Sequence, residues 1–368
     1  MRFYLTLIVF LALSLNAWAQ KTITLDQAIK TALQKNTTLQ KTSYNIQSGQ
    51  ANVKSAYGAL LPSLGIGGQW DWNRSDGTTG AFVNTLGQVL PTSSQRRTYT
   101  LSARLNWTLF DGLSSWSRVD QTKNDLESAK LSFERAKQDI VFNTTSTFYN
   151  VLNAKQQLKV REDDLAYNRK NLEIITERNK LGAVTLADVY AQQVNVGNSE
   201  LALIQANNNY ETLKSQFLNY LGLDVLEDIN LTDPSENDTT KIVEGERVLQ
   251  QANNLSQIIG QAMLSRLDYR SSQFSLQSAN NNIDIARSAY LPTISASNSF
   301  GTSADAINNL NDARTYGASL NINIPIFSGW ATERNVEVAR VNALSQEVTL
   351  TEMERQIKMD IKKTYLDF

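Results

Sequence analysis

Arg161-Glu162-Asp163-Asp164 sets three carboxylates beside a guanidinium, residue types that could share general acid–base work. The run lies inside a stretch without Pro or Gly, from Leu113 to Leu181. On the surface of so long a helix, such charges read as a solvated face. No Cys and no His occurs in the 368 residues, which removes thiol nucleophiles, Ser-His-Asp chemistry and thiolate or imidazole metal sites. No enzyme, cofactor or metal centre is expected. A formal net charge of −1 gives no electrostatic case for nucleic acid.

A second group of candidates lies in "RNKLGAVTLADV", residues 178–189. Gly182 can reverse the chain between two helices and Thr185 can cap the second. Asp188 then falls in the first turn of that helix, where a carboxylate complements the dipole. Capping alone accounts for Asp188, and capping together with a further task accounts for it equally well.

The largest group is defined by alternation. In "PSLGIGGQWDWN" (62–73), Leu64, Ile66, Gly68, Trp70 and Trp72 share one face of an extended chain, with polar residues and glycine on the other. In "TYTLSARLNWTLF" (98–110), Tyr99, Leu101, Ala103, Leu105, Trp107 and Leu109 oppose Thr100, Ser102, Arg104, Asn106 and Thr108. Further on, Ile294, Ala296 and Phe300 form a stripe interrupted by Asn298. Tyr316, Ala318, Leu320, Ile322, Ile324 and Ile326 form a clean one, with Asn321 and Asn323 opposite. Four strands of about 10–13 residues, aromatic toward their ends, have the pattern of outer-membrane barrel strands. The lipid face is then expected to carry Ile66, Trp70, Trp72, Tyr99, Leu101, Leu105, Trp107, Tyr316, Leu320 and Ile322. The lumen would see Arg104, Asn106, Asn321 and Asn323. A soluble sandwich, with each apolar face against a second sheet, is the competing arrangement.

These strands recur within a repeat. "LNWTLFDG" (105–112) aligns with "INIPIFSG" (322–329) at an offset of 217, which pairs Tyr99 with Tyr316. "ANVKSAYGALLPSL" (51–64) aligns with "NNIDIARSAYLPTI" (281–294) at an offset of 230. The difference of 13 is expected to be a longer loop between residues 63 and 109. Each repeat reads helix, Leu-Pro, strand, loop, strand, helix. The hairpins are expected at 62–110 and 292–327, followed by long helices over 113–181 and from 330 to 368. A return helix is expected over 185–221, ending at Gly222. Positions 126, 129, 133, 136, 140, 143, 147, 151, 154, 158, 161, 165, 168, 172 and 175 step by three and four, a sustained heptad seam on a rod of about 105 Å.

Around this core, "MRFYLTLIVFLALSLNAWAQ" has Arg2, an apolar run from Phe3 to Leu15 and a small-x-small site at Ala17-Trp18-Ala19. It reads as a signal peptide over 1–19, because the run is shorter than the ~18–20 residues that span a bilayer. The first repeat would occupy 20–222 and the second 257–368. Between them lies a 223–256 segment, acidic and polar over 224–246, that is either a belt around the rod or a solvated linker. The alignment places Phe368 opposite Val151, inside the rod of the first repeat. The second repeat is therefore expected to be incomplete, and a whole chain to run to at least about 440 residues with a second tip.

Taken in order, "LDQAIKTALQKNTTL", "SAYGALLPSLGI", "SAYLPTISA", "LFDG", "IFSG" and "RNKLGAVTLADVYAQQ" resemble the TolC-like outer-membrane efflux proteins, trimeric channel-tunnels, from about Leu25 onward. The resemblance implies an α+β membrane protein: a helical coiled-coil tunnel in the periplasm and a twelve-stranded barrel with four strands from each protomer. It implies a passive exit duct in the bacterial outer membrane, working as a homotrimer with a periplasmic adaptor and an inner-membrane pump of RND, ABC or MFS type. By the same resemblance Arg178, Leu181, Gly182 and Thr185 would meet the adaptor. Asp188 would belong to the latch that closes the tunnel. A secreted trimeric coiled-coil scaffold or adhesin with a small β-domain is the competing class.

Overall fold

The computed structural model describes residues 21–83, 85, 89–232 and 255–367. The expected signal peptide, and most of the 223–256 segment between the repeats, lie outside the described residues. In chain order the elements are β1 (Lys21–Ile23), α1 (Leu25–Lys35), α2 (Thr37–Gly58), β2 (Ser63–Val83), β3 (Val89–Asp111), α3 (Ser114–Lys180), α4 (Leu186–Leu221) and β4 (Ile229–Leu231). They continue with α5 (Leu255–Ser265), α6 (Leu267–Arg287), a 3-10 turn at Ser288–Tyr290, β5 (Thr293–Ala304), β6 (Arg314–Asn323) and α7 (Ala331–Asp367). Among the described residues, no helix is long and apolar enough to cross a membrane.

The chain divides into two compact units. One comprises residues up to Tyr44 together with Ser132–Ile258. Its core brings Ala28, Ala32 and Leu39 onto Ile140, Phe148, Val151 and Leu152 of α3 and onto Phe217, Leu218 and Leu221 of α4. The Phe148 and Phe217 rings meet edge-on at 6.0 Å. Burying side chains of this size contributes about 1.5–3 kcal/mol each. β1 and β4 form a parallel pair over this core, contributing Ile23, Ile229 and Leu231. Asn36 ties the junction of α1 and α2: its side chain accepts from the Thr38 and Leu39 amides and donates to the Tyr220 carbonyl.

The other unit comprises Asn45–Leu131 and Ile259–Asp367. It holds an antiparallel sheet in the order β2-β3-β5-β6, with β2 and β6 as unpaired edges. The strands of the first hairpin are 21 and 23 residues long, against 12 and 10 in the second. Much of the span expected as a longer loop between 63 and 109 is therefore strand. Pairing runs from Ser63↔Asn106 to Gly77↔Thr92, then resumes at Phe82↔Leu90 after a register shift. The stretch "RSDG" (74–77) alternates poorly, and backbone pairing with the partner strand carries it. β6 stops at Asn323, short of the expected end at 327.

The seam on α3 also drifts. Ile140, Val151, Ala154 and Leu165 are buried as expected, but Asn143 and Arg161 are exposed. Thr144, Phe148 and Leu152 are buried instead at the level where α1 and the end of α4 pack. Neighbours on a second side widen the apolar stripe there beyond a heptad seam.

Candidate functional site

The sheet carries two faces of opposite character. On one, Leu64 stands opposite Leu105, Ile66 opposite Ala103 and Trp70 opposite Tyr99. Across the β3–β5 junction, Leu105 meets Asn298, Ala103 meets Phe300 and Trp107 meets Ala296. Phe300 then faces Tyr316, their rings 5.1 Å apart, while Ala296 faces Leu320 and Ile294 faces Ile322. Trp72 and Leu101 continue this face, opposite Arg97 and Gly68. Ile66, Trp70, Trp72, Leu101, Trp107, Tyr316, Leu320 and Ile322 are exposed, while Tyr99 and Leu105 are half-buried. Ile66 retains 76% of its accessible surface, and among the described residues no second sheet covers this face.

The polar face runs through Ser63, Asn106, Ser297 and Ser319 in one row, and through Gly65, Arg104, Ser299 and Gly317 in the next. Asn321 stands opposite Ser295, and Asn323 opposite Thr293. Arg104, Asn106, Asn321 and Asn323 are all exposed. Small residues flank Arg104 in its row, and among the described residues no acid pairs with it.

One expected position changes face. A bulge between Thr108 and Phe110 leaves Leu109 unpaired and sets Phe110 opposite Ile294, so Phe110 rather than Leu109 ends the apolar stripe. Below the bulge Asp111 caps α3, accepting from the Ser115 amide at 2.9 Å and from its hydroxyl. The following residues Gly112 and Leu113 are both left-handed, with φ of 67° and 70°. Gly329 and Trp330 hold the same pair of conformations before α7, at 60° and 66°. The Trp107 indole donates to the Leu60 carbonyl at 3.0 Å, tying β3 to the turn that precedes β2.

At the other candidate site, α3 ends in a Schellman turn: the Ala183 amide donates to Arg178 O and the Gly182 amide to Asn179 O, each at 2.9 Å. Gly182 supplies the left-handed residue, at φ 73°. The Asn179 side-chain amide donates to Val184 O and holds the turn closed. Thr185 caps α4, and its amide and hydroxyl both donate to Asp188 Oδ2, at 2.8 and 2.7 Å. The Asp188 amide donates back to the Thr185 hydroxyl, completing a capping box. These bonds, the hydroxyl's first and the amide's second, hold the Asp188 carboxyl below the usual carboxylate range. Arg178 is exposed, and Leu181 is the barest apolar side chain of the turn at 84%.

Beneath the tip runs a polar ladder that sequence reasoning missed. Asn168 donates to the Ser199 hydroxyl at 2.9 Å, Ser199 donates to Asp164 Oδ2, and Gln192 donates to the Asn168 side-chain and main-chain oxygens. Gln192 and Ser199 are buried. The signal was available: Asn168 is a polar residue on the heptad seam, the kind of position that fixes helix register.

A family model described as "Outer membrane efflux protein" matches residues 28–223 and 258–368. Protein CyaE of Bordetella pertussis is 24% identical over 275 residues, covering 74% of this chain and 56% of that protein. Outer membrane efflux protein BepC of Brucella suis is 21% identical over 319 residues, covering 86% of this chain and 63% of that protein. The chain thus spans about three-fifths of the length of these relatives. The crystal structure of the Campylobacter jejuni CmeC outer membrane channel superposes with a TM-score of 0.67 at 20% identity, covering 89% of this chain and 67% of that one. At that identity the likeness concerns the fold.

Proposed function

The chain belongs to the outer membrane efflux protein family, and from that premise we propose that it serves as the outer-membrane channel of a tripartite efflux or type I secretion assembly. The observation that carries this reading is the sheet: four antiparallel strands, bare on an apolar face and on a polar face, with both edges unpaired. An apolar face over this length suits lipid, and a Ser/Thr/Asn/Gly face suits a water-filled lumen. In lipid, every edge amide and carbonyl must be paired, and the smallest such barrels have eight strands. Two copies would give eight strands and three copies twelve. The likeness to the trimeric efflux channels favours three, so we take the working form as a homotrimer in the outer membrane with its helices in the periplasm. We read the helix, hairpin, helix order around β2–β3 and around β5–β6 as two internal repeats, the second incomplete.

At the tip, Arg178, Leu181, Gly182 and Thr185 present an exposed turn that suits a periplasmic adaptor, through which an inner-membrane pump of RND, ABC or MFS type would deliver its cargo. Asp188 is the candidate for the latch at the entrance. The test is extraction and reconstitution of the full-length protein. Detergent-dependent solubility, heat-resistant trimers on gels and ion conductance in planar bilayers are expected. A detergent-free soluble product without conductance would overturn the channel in favour of a secreted scaffold.

A further inference from the structure

The apolar face of the sheet ends in arginine. The four strands β2, β3, β5 and β6 hold five basic side chains, all of them arginine and none lysine. Arg104 lies mid-way along the polar face, and Arg96 farther up it, opposite Asn73. The other three share the apolar face, toward the strand ends remote from the helices. Up the β2–β3 ladder on that face, Leu64↔Leu105 is followed by Ile66↔Ala103, Gly68↔Leu101 and Trp70↔Tyr99. Trp72↔Arg97 and Arg74↔Gln95 come next. Arg97 and Arg74 are therefore diagonal neighbours, about 7–8 Å apart along the backbone.

The second hairpin repeats the order. The offset of 217 that carries Tyr99 onto Tyr316 also carries Arg97 onto Arg314. Arg314 shares a row with Leu101 across Thr302, which puts it on the apolar face two residues beyond Tyr316. Tyr99 faces Ala304 whereas Tyr316 faces Phe300, a stagger of four residues between the repeats. Strand tilt takes up such a stagger when a sheet closes. All three arginines are exposed. Arg314 donates to the Asn311 side-chain oxygen at 3.3 Å, a neutral partner. Among the described residues no acid pairs with Arg97 or Arg314. The nearby Asp71 stands opposite Thr98 and leaves from the polar face.

A guanidinium on a lipid-facing strand is costliest at mid-bilayer and tolerated at the interface. From Leu64 to Trp72 the apolar stripe measures about 26 Å along the strand, which accounts for the hydrocarbon band of such barrels. The arginines thus lie at its rim. At the helix end the same face closes on Phe110, and no basic residue stands there.

We propose that Arg74, Arg97 and Arg314 form a phosphate-binding rim that holds the headgroup of a phosphomonoester-bearing lipid in the outer leaflet. This rests on the orientation proposed above, with the helices in the periplasm, which turns the rim outward. Trp70, Trp72, Tyr99 and Tyr316 lie just below, at the level where aromatic rings meet headgroups and the first acyl carbons. The planar fork of arginine engages two phosphate oxygens at once, where lysine offers a single point charge. A zwitterionic headgroup brings a cation of its own, which unneutralised guanidiniums repel. An anionic phosphomonoester brings none.

The test uses full-length trimers in detergent, with bound lipid counted by native mass spectrometry. Bis-phosphorylated lipid A is expected to bind more tightly than its dephosphorylated form or phosphatidylethanolamine. Each guanidinium removed should weaken that binding about fivefold, and Arg74→Gln, Arg97→Gln and Arg314→Gln together about a hundredfold. Arg96→Gln, on the polar face, should bind as the parent does. Equal binding of the two forms of lipid A by the parent would overturn the rim without recourse to any variant. So would a triple variant that binds like the parent. Displacement of lipid A by inorganic phosphate at equal concentration would assign the site to the free ion and overturn the lipid. A parent protein that needs no detergent and conducts no ions would overturn the membrane reading, whereas conducting trimers indifferent to the lipid phosphates overturn the rim alone.

Discussion

Asp188 Oδ2 accepts both hydrogens that Thr185 can offer, the amide at 2.8 Å and the hydroxyl at 2.7 Å. The two bonds stabilise the ionised carboxyl, so its folded value lies below its unfolded one. A group depressed in this way contributes its full stabilisation above the ordinary carboxylate range near pH ~4 and loses it as pH falls through the folded value. Amide exchange at the start of α4 is therefore expected to be slow and pH-independent in protection above about pH 4, and to speed up only in more acidic solution. Thr185→Ala should fray the same turn at neutral pH, at a local cost of about 0.5–2 kcal/mol.

The latch role proposed for Asp188 is separable from its cap role. Asp188→Asn keeps an oxygen to accept from Thr185 and removes the charge. In planar bilayers this variant is expected to raise single-channel conductance, with α4 protection from exchange retained. Unchanged conductance in normal trimers would leave Asp188 a helix cap only.

Gly222 and Gly182 both end helices with φ above 70°, but their surroundings differ. A Cβ on Gly222 would meet Lys35 O at 2.6 Å, where the end of α4 abuts the end of α1. Nothing lies within 4 Å of Gly182. Gly182→Ala should cost only the left-handed backbone strain, about 1–2 kcal/mol. Gly222→Ala adds a backbone clash, so its melting temperature should fall further. Equal melting of the two variants would contradict the packing of that junction.

Sequence patterns disclosed what depends on local chemistry. Alternation in "SARLNWT" separates Leu105 from Asn106, and the glycines at 182 and 222 mark their turns because a left-handed residue is needed there. Features set by partners far along the chain escaped. The extra length of β2 and β3 rests on ladder pairing between segments rich in Gly, Ser and Thr, which carry little pattern of their own. The three-residue pairing of Lys21–Ile23 with Ile229–Leu231 is too short to show any period. Thr144 and Phe148 lie off the heptad seam and become core because α1 and the end of α4 converge on them. The bulge at Leu109 likewise belongs to the β3–β5 pair and to neither strand alone.

Leu105 and Asn106 test the assignment of the two faces. Leu105 lies between Leu64 and Asn298 on the apolar face, and Asn106 between Ser63 and Ser297 on the polar one. Leu105→Arg would place a cation in lipid at a cost of about 2–4 kcal/mol near mid-membrane and should cripple assembly. Asn106→Arg should assemble normally and alter conductance. Equal trimer yields from the two variants would contradict the assignment.

Arg104 sets the charge of the middle of the polar face. It stands in a row with Gly65, Ser299 and Gly317, and the next row toward β6's start holds Gly67, Ser102, Gly301 and Thr315. Asp71, the acid farther along β2 on this face, lies opposite Thr98, six residues up the ladder and about 20 Å away. In the proposed barrel of three copies, three such guanidiniums would ring the lumen with no acid of the described residues paired to them, the arrangement that favours anions in a water-filled pore. In a salt gradient across a planar bilayer, the parent channel should show a reversal potential displaced toward anion passage. Arg104→Gln should shift that potential toward cations while leaving trimer yield intact. Arg104→Cys places a thiol in a stretch of 368 residues that holds no other, and, with any cysteine beyond it replaced by serine, reaction with an anionic thiosulfonate should carry the shift further than reaction with a neutral one. A reversal potential indifferent to all three changes, in channels that conduct, would show that Arg104 does not govern ion preference.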